Sequence, residues 1–293
     1  MDYMIRAIDK KQTFRLFMVK STETVEEARR RHNTTPTASA ALGRTLTAGL
    51  MMGYMMKNEE DKLTININGG GPLGTILTVS DNSGHIKGYV ENPDVNLPLK
   101  ENGKLDVGGA VGVNGKVTVM MDLGLRDPYV GSTDIVSGEI AEDIAMYYCL
   151  SEQQNSAVCL GVLVDRDYSI KSSGGFIVQP LPFIEEEDLK KLENTLNNIG
   201  SVSDHFDNDE DVEEIAKSIF ADFEIEITEK IPAKFSCDCS EERMERALLT
   251  LGRDDLKQLI EEDGKIETVC HFCNEKYNFE GEKLKNILKY IEH

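Results

Sequence analysis

Two tight cysteine pairs near the C-terminus, Cys237-Asp-Cys239 and Cys270-His-Phe-Cys273, constrain this chain more than any other feature. They fall in its last 57 residues, 237–293. A module that small rarely buries enough apolar surface to fold alone and usually needs a metal or another staple. Zinc accepts four tetrahedral thiolate or imidazole ligands at about 2.3 Å. Two turns that each present two sulfurs meet that need, and the thirty residues between the pairs allow two short helices. The Cys-x-x-Cys half has familiar zinc-knuckle spacing, and the Cys-x-Cys half is tighter. The same four thiols could instead become disulfides, so spacing alone leaves a structural rivet, a catalyst and a switch all open.

Magnitudes narrow the choice. Structural zinc contributes on the order of 10–16 kcal/mol in small peptides at neutral pH. If oxidation joined each cysteine to its near neighbour, the loops of three and four residues would together recover only about 3–4 kcal/mol. Neither bond would connect one half of the module to the other, so oxidation in that pattern is expected to unfold it. His271 lies inside the second pair. Four thiols already complete a shell, so it is expected to be an exposed turn residue.

The 293 residues allow one large domain or two smaller ones. The first twelve residues mix Asp2, Arg6, Asp9, Lys10 and Lys11 with apolar side chains, unlike a signal peptide. The most apolar run, residues 48–56, is too short to cross a bilayer. A cytoplasmic location is expected, where thiols stay reduced and cysteines serve metal or redox chemistry. The net charge of −20 argues against nucleic acid as a partner, because phosphate binding needs a basic face. Much of that charge lies in residues 185–230, with sixteen carboxylates and four lysines.

The pattern predicts an α+β chain in three parts: an N-terminal α/β core with mixed sheet and helices (1–180), an acidic helical linker (181–230) and a small C-terminal zinc-binding domain (231–293). Residues 4–8 and 13–19 read as a hairpin, and Thr22 or Thr24 could cap a helix over 25–32. Residues 36–56 read as a long helix led by Pro36, in which Gly43, Gly49 and Gly53 imply close packing by another backbone. Strands follow at 63–68, 75–80, 85–90 and 116–122. Residues 137–151 read as a helix, and 157–164 and 169–179 as two more strands. Residues 183–230 look helical but of marginal stability, because like charges neighbour one another. Phe206, Ile219, Phe220 and Phe223 there are either exposed apolar contacts or packed on the core. Ser240 can cap a helix to 251 and Asp254 a second. Residues 266–269 and 276–279 flank the second cysteine pair as a hairpin, and 282–291 reads as a last helix.

Other motifs carry less. Gly69-x-Gly71-x-x-Gly74 matches a dinucleotide fingerprint formally, but Pro72 interrupts it and a β-like run follows where a helix should start, so it reads as a turn. No phosphate-binding Gly-x-x-x-x-Gly-Lys motif is present. His32, His85, His205, His271 and His293 show no ligand spacing or triad, so no catalytic residue is expected. Cys149 and Cys159 read as buried structural thiols.

Two further segments stand out beside the cysteine motifs, Gly131-Ser-Thr-Asp-Ile-Val-Ser-Gly-Glu-Ile-Ala-Glu-Asp143 and Ser173-Gly-Gly-Phe-Ile-Val-Gln-Pro-Leu-Pro182. With both cysteine motifs, they make the chain resemble the 33-kDa heat-shock protein family of redox-regulated bacterial holdase chaperones. It implies that Cys237, Cys239, Cys270 and Cys273 ligate one zinc per chain when reduced, then pair as neighbours with zinc release. It also implies binding of unfolding polypeptides by the oxidised form, an active homodimer, and no use of ATP, nucleic acid or membrane. Two rivals remain. A zinc-ribbon nucleic-acid binder fits the cysteines but not the charge. A thiol oxidoreductase using Cys270 and Cys273 would need a thioredoxin-like strand-to-helix setting, which the sequence lacks.

Overall fold

The two apolar runs at the N-terminus pair as the expected hairpin. β1 (Tyr3–Asp9) and β2 (Phe14–Lys20) run antiparallel, with Ile5 opposite Met18. α1 (Thr22–His32) follows, with Thr22 and Thr24 inside the helix rather than capping it. The N-cap residue, Ser21, makes no side-chain capping bond. The buried carboxylate of Asp2 serves instead, accepting from the Thr24 backbone N–H at 2.6 Å.

In this computed structural model residues 1–207, 210–251, 256–258, 264–281 and 283–284 are described. They form two units, Met1–Ser236 and Cys237–His293. Helix α2 (Pro36–Tyr54) is the axis of the first, with all its residues buried except Pro36 and Arg44. A helix this apolar is enclosed rather than amphipathic. Its glycines permit that enclosure. A Cβ at Gly53 would stand 2.6 Å from Ser80 Oγ and 2.8 Å from the Asp81 carbonyl oxygen, and one at Gly43 would stand 2.6 Å from Val25 Cγ1.

The strands that enclose α2 follow as β3 (Lys62–Asn68), β4 (Ile76–Ser80) and β5 (His85–Val90), then after α3 (Val107–Val111) as β6 (Lys116–Asp122) and β7 (Tyr129–Asp134). After α4 (Ala141–Leu150) come β8 (Ala157–Val164) and β9 (Ile170–Pro180). α3 and β7 had no counterpart in the sequence reading. α4 starts later than the periodicity from residue 137 predicts. The buried Asp143 carboxylate accepts from the backbone N–H groups of Val136, Ser137 and Ile140, which holds those residues in a loop. The Gly69–Gly74 segment is a turn as expected: the Gly71 and Leu73 N–H groups donate to the Val111 and Ala110 carbonyls at 2.9 and 3.1 Å.

The acidic segment carries α5 (Glu186–Asn197), α6 (Val202–His205) and α7 (Val212–Ile219), as its periodicity predicts. The helical expectation then fails, because β10 (Ile225–Pro232) is a strand paired antiparallel with β1. The alternation Ile225-Glu-Ile227 has a period of two, which is the strand signal. β11 (Lys234–Phe235) pairs parallel with β5. Two sheets result, ordered β10-β1-β2-β9-β8 and β11-β5-β4-β3-β6-β7, and α2 packs against strands of both.

The acidic segment covers the other face of the first sheet. Leu192, Phe206, Val212, Ile215, Ala216 and Phe220 bury themselves against Ile5, Phe14, Leu16, Met18, Phe176 and Val178. Phe206 and Phe220 are therefore core residues, and Ile219 and Phe223 pack against the same cluster. Phe220 lies 5.6 Å from the rings of both Phe14 and Phe176. Cys159 on β8 is half-buried, and burial pushes its thiol up to about 11. Cys149 departs from expectation: it is exposed at the last turn of α4, because the buried face of that helix carries Ile144, Tyr147 and Tyr148. No helix among the described residues is long and apolar enough to cross a membrane.

The second unit contains α8 (Glu241–Leu248), capped as expected by the Ser240 hydroxyl accepting from the Arg243 N–H at 3.3 Å. β12 (Lys265–Val269) and β13 (Lys276–Glu280) form the predicted antiparallel hairpin. Most of the helix expected from Asp254, in which only residues 256–258 are described and are helical, and most of the one expected over 282–291 lie outside the described residues.

Candidate metal centre

The second cysteine pair occupies the hairpin turn. The Cys270 N–H donates to the Glu275 carbonyl at 2.9 Å, extending the β12–β13 ladder. The Cys270 carbonyl then accepts from the N–H groups of Cys273 at 3.3 Å and Asn274 at 2.7 Å. Asn274 adopts φ 59°, a left-handed conformation that asparagine tolerates. The first pair sits immediately before the Ser240 cap of α8, so a helix start and a hairpin turn present two sulfurs each.

The four sulfurs converge. Cys237 Sγ lies 3.7 Å from Cys270 Sγ, and Cys239 Sγ lies 3.3 Å from Cys273 Sγ. All four ligand atoms fall within 4.8 Å of one another. A tetrahedron with bonds of about 2.3 Å has edges of about 3.8 Å, so the cluster has the size that a thiolate-bound zinc requires. The donor set also suits it, four soft sulfurs with Cys270 and Cys273 buried. Among the described residues no other group of three or more His, Cys, Asp or Glu side chains is gathered this way.

Electrostatics around the cluster are uneven. Burial pushes the Cys237 thiol up to about 11 and raises that of Cys273 as well. Burial also opposes ionisation of Cys239, but hydrogen bonds from Tyr277 and the neighbouring thiols outweigh it and hold that thiol below its ordinary value. The Tyr277 hydroxyl donates to Cys239 Sγ at 3.1 Å. The protein alone eases ionisation of Cys239 and opposes that of Cys237 and Cys273, and a bound divalent cation would offset that opposition. Asp238, the acid between the first two cysteines, is paired with Arg243 Nη1 at 2.5 Å.

Spacing predicted all four cysteines, and the fold brings them together. His271 is exposed in the turn and outside the cluster. His85 Nδ1 lies 3.3 Å from Asp81 Oδ2, and His205 Nε2 bonds the Ile199 carbonyl at 2.9 Å, so both have local partners. His293 lies outside the described residues. Sequence reasoning missed Tyr277 and the Asp238–Arg243 pair. A signal existed for Tyr277: an aromatic residue on the strand that leaves a cysteine turn can lean back over the sulfurs.

Fold and site together define a class, a mixed α/β body followed by a small module with a four-cysteine metal-type cluster. The Hsp33 protein family matches residues 2–280, and the chain belongs to that chaperone family. A 33 kDa chaperonin of Alkaliphilus oremlandii is 50% identical over 288 residues, covering 98% of this chain and 96% of that protein. Another, from Caldanaerobacter subterraneus, is 49% identical over 292 residues, covering 100% of this chain and 99% of that one. The crystal structure of the 33 kDa chaperonin (heat shock protein 33 homolog) of Thermotoga maritima matches with a TM-score of 0.90 at 36% identity, covering 98% of each chain.

Proposed function

We propose that this chain is a redox-regulated holdase whose four C-terminal cysteines form the switch. In the reduced state Cys237, Cys239, Cys270 and Cys273 hold one zinc, which would crosslink the helix start to the hairpin turn. The observation that carries this reading is the convergence of the four sulfurs at separations matching a tetrahedral edge. Family membership supplies the chaperone part.

The oxidising step balances simply. Four thiolates and four protons react with two molecules of hydrogen peroxide to give two disulfides and four waters. Each disulfide yields two electrons to one O–O bond. The ligand set is consumed, so zinc leaves. We assign the bonds to near neighbours, Cys237–Cys239 and Cys270–Cys273, on the family resemblance. The short contacts at 3.7 and 3.3 Å run across the pairs, and cross-pair bonds would retain the crosslink. Disulfide mapping by mass spectrometry distinguishes the two, and a cross-pair result sinks the switch as stated.

Loss of the crosslink would leave the cysteine unit, among its described residues, with a cluster of only five buried apolar side chains, Leu248, Leu256, Ile266, Phe279 and Leu284. Only Ser236 separates Cys237 from β11, so the disordered chain would begin close to where the strand ends. We infer that residues 181–230 act as the linker that lifts away next. The surface it would uncover is the sheet face bearing Ile5, Phe14, Leu16, Met18, Phe176 and Val178, which is suited to unfolding polypeptides. The active form is proposed to be a cytoplasmic homodimer that uses neither ATP nor nucleic acid and has no catalytic residue. Zinc content and aggregation of a denatured client, measured on one sample before and after peroxide and mild heat, test the proposal. One zinc per chain should be released as aggregation falls, and unchanged aggregation after full release overturns it.

A further inference from the structure

A cleft of about 500 Å³ opens in the N-terminal unit where the C-terminal end of α2 meets the first sheet. Arg6 on β1, Arg15 and Phe17 on β2, Tyr54 to Lys57 at the end of α2, Asn82 and Glu229 line it. The proposed switch touches it only through Glu229, which lies in the 181–230 segment. Its walls are built from stacked cations: the Arg6 guanidinium lies 4.8 Å from the Tyr54 ring centroid and 5.4 Å from that of Phe17, and the Arg15 guanidinium lies 5.7 Å from the Phe17 centroid.

The charge in this cleft is poorly compensated for so acidic a chain. Glu229 pairs with Arg6 Nη1 at 3.3 Å. Arg15 Nε donates to Gln179 Oε1 at 2.7 Å, a neutral partner, and among the described residues no carboxylate pairs with Arg15 or Lys57. Burial lowers the Arg15 guanidinium, Tyr148 partly offsets that, and the nearby Arg6 adds a smaller lowering. Arg6 Nε is buried with no hydrogen-bond partner, and burial followed by the neighbouring Glu229 carboxylate raises the Tyr54 hydroxyl above its ordinary value.

A purely structural role explains part of this. Arg6 Nη2 donates to the Tyr54 carbonyl at 3.2 Å, satisfying the end of α2, whose dipole contributes about half a negative charge. Subtracting that and Glu229 from three cations still leaves an excess of about one and a half positive charges. Neither Arg15, whose Nε goes to Gln179, nor Lys57 donates a hydrogen bond to the last carbonyls of α2.

The geometry points to a binding site for a small organic oxyanion, a phosphate or carboxylate attached to a flat apolar group. Arg6 spends its Nη groups on Glu229 and the Tyr54 carbonyl, whereas Arg15 commits only Nε and keeps both Nη groups for an oxyanion, with Met55 and Met56 lining the cleft as apolar surface for a ring. Calorimetric titration of the reduced full-length protein with phenyl phosphate, benzoate and inorganic phosphate tests this. Phenyl phosphate or benzoate should saturate one site per chain, at least about tenfold tighter than inorganic phosphate. R15Q should weaken that binding by about tenfold, and K57A, which removes an exposed side chain without touching the core, by about threefold. Equal affinity for phosphate and phenyl phosphate, absence of saturation by either organic anion at millimolar concentration, or affinity indifferent to both substitutions overturns the assignment.

Discussion

In the N-terminal unit the helix α2, buried except at Pro36 and Arg44, packs against both sheets, whereas the cysteine unit buries Leu248, Leu256, Ile266, Phe279 and Leu284 among its described apolar residues. The first is held by area removed from water, at roughly 25 cal/mol per Å². The second, with a metal on its four sulfurs as proposed, would lean on one crosslink between a helix start and a turn. A structure held by many small contacts loses one of them gradually, and a structure held by one crosslink loses it all at once. That difference is what would let one chain carry both a durable body and a chemical trigger.

The largest expected effect isolates the trigger. Removing metal with a chelator, or substituting Cys239→Ser, should withdraw much of the roughly 10–16 kcal/mol that zinc supplies to such modules. Hydrogen exchange should then show loss of protection in the β12–β13 hairpin while α2 keeps its own. Protection of the hairpin unchanged after full chelation would show that its apolar cluster suffices.

Next come the contacts of the acidic segment. Phe220→Ala should cost about 3–5 kcal/mol, because the ring is fully buried between Phe14 and Phe176. If that cluster covers the client surface, the variant should also suppress client aggregation partly while still reduced and metal-loaded. A lower urea midpoint with no gain in chaperone activity would separate the packing from the proposed masking.

Asp143→Ala should cost about 3 kcal/mol, since three backbone N–H groups lose a buried carboxylate acceptor. Thermal unfolding of the N-terminal unit should shift while zinc affinity stays unchanged. Tyr277→Phe should do the reverse. It removes only the hydrogen bond to Cys239, worth about 1 kcal/mol, yet should speed zinc transfer to a chromogenic chelator by about tenfold. An unchanged transfer rate would mean that the hydroxyl does not help retain the metal.

The same contrast governs what was legible in the sequence. The cysteine cluster was readable because a metal site needs few residues of fixed type at short spacing. α2 was readable because its apolar run exceeds any strand, and its glycines announced close packing. The strand at Ile225–Pro232 was not, because the acidic helical pattern before it masked a short alternation, and its partner β1 lies more than two hundred residues away. The burial of Phe206 and Phe220 was left open for a similar reason: negative charge describes the outer face of those helices and is silent about the inner one. Cys149 was misplaced because an apolar neighbourhood in sequence does not fix which way a residue at a helix end points.

Acid offers the finest cut between the two units. In the N-terminal unit Glu139 accepts from Arg44 at 2.7 Å and from Lys100 at 2.5 Å. Burial alone would raise its carboxyl, but Lys100 and Arg44 outweigh it and hold it below the usual range. A depressed folded value means that the unfolded chain takes up the proton first as pH falls. The stability from this group is therefore fully present above the ordinary glutamate value of about 4.3 and is lost as pH drops through the folded value. Glu139→Gln should flatten the acid limb of the N-terminal unit's unfolding curve and lower its stability at neutral pH. It should leave the acid release of zinc untouched, because that loss reflects protons competing for thiolates. A parallel change in both curves would show that the two units do not titrate independently.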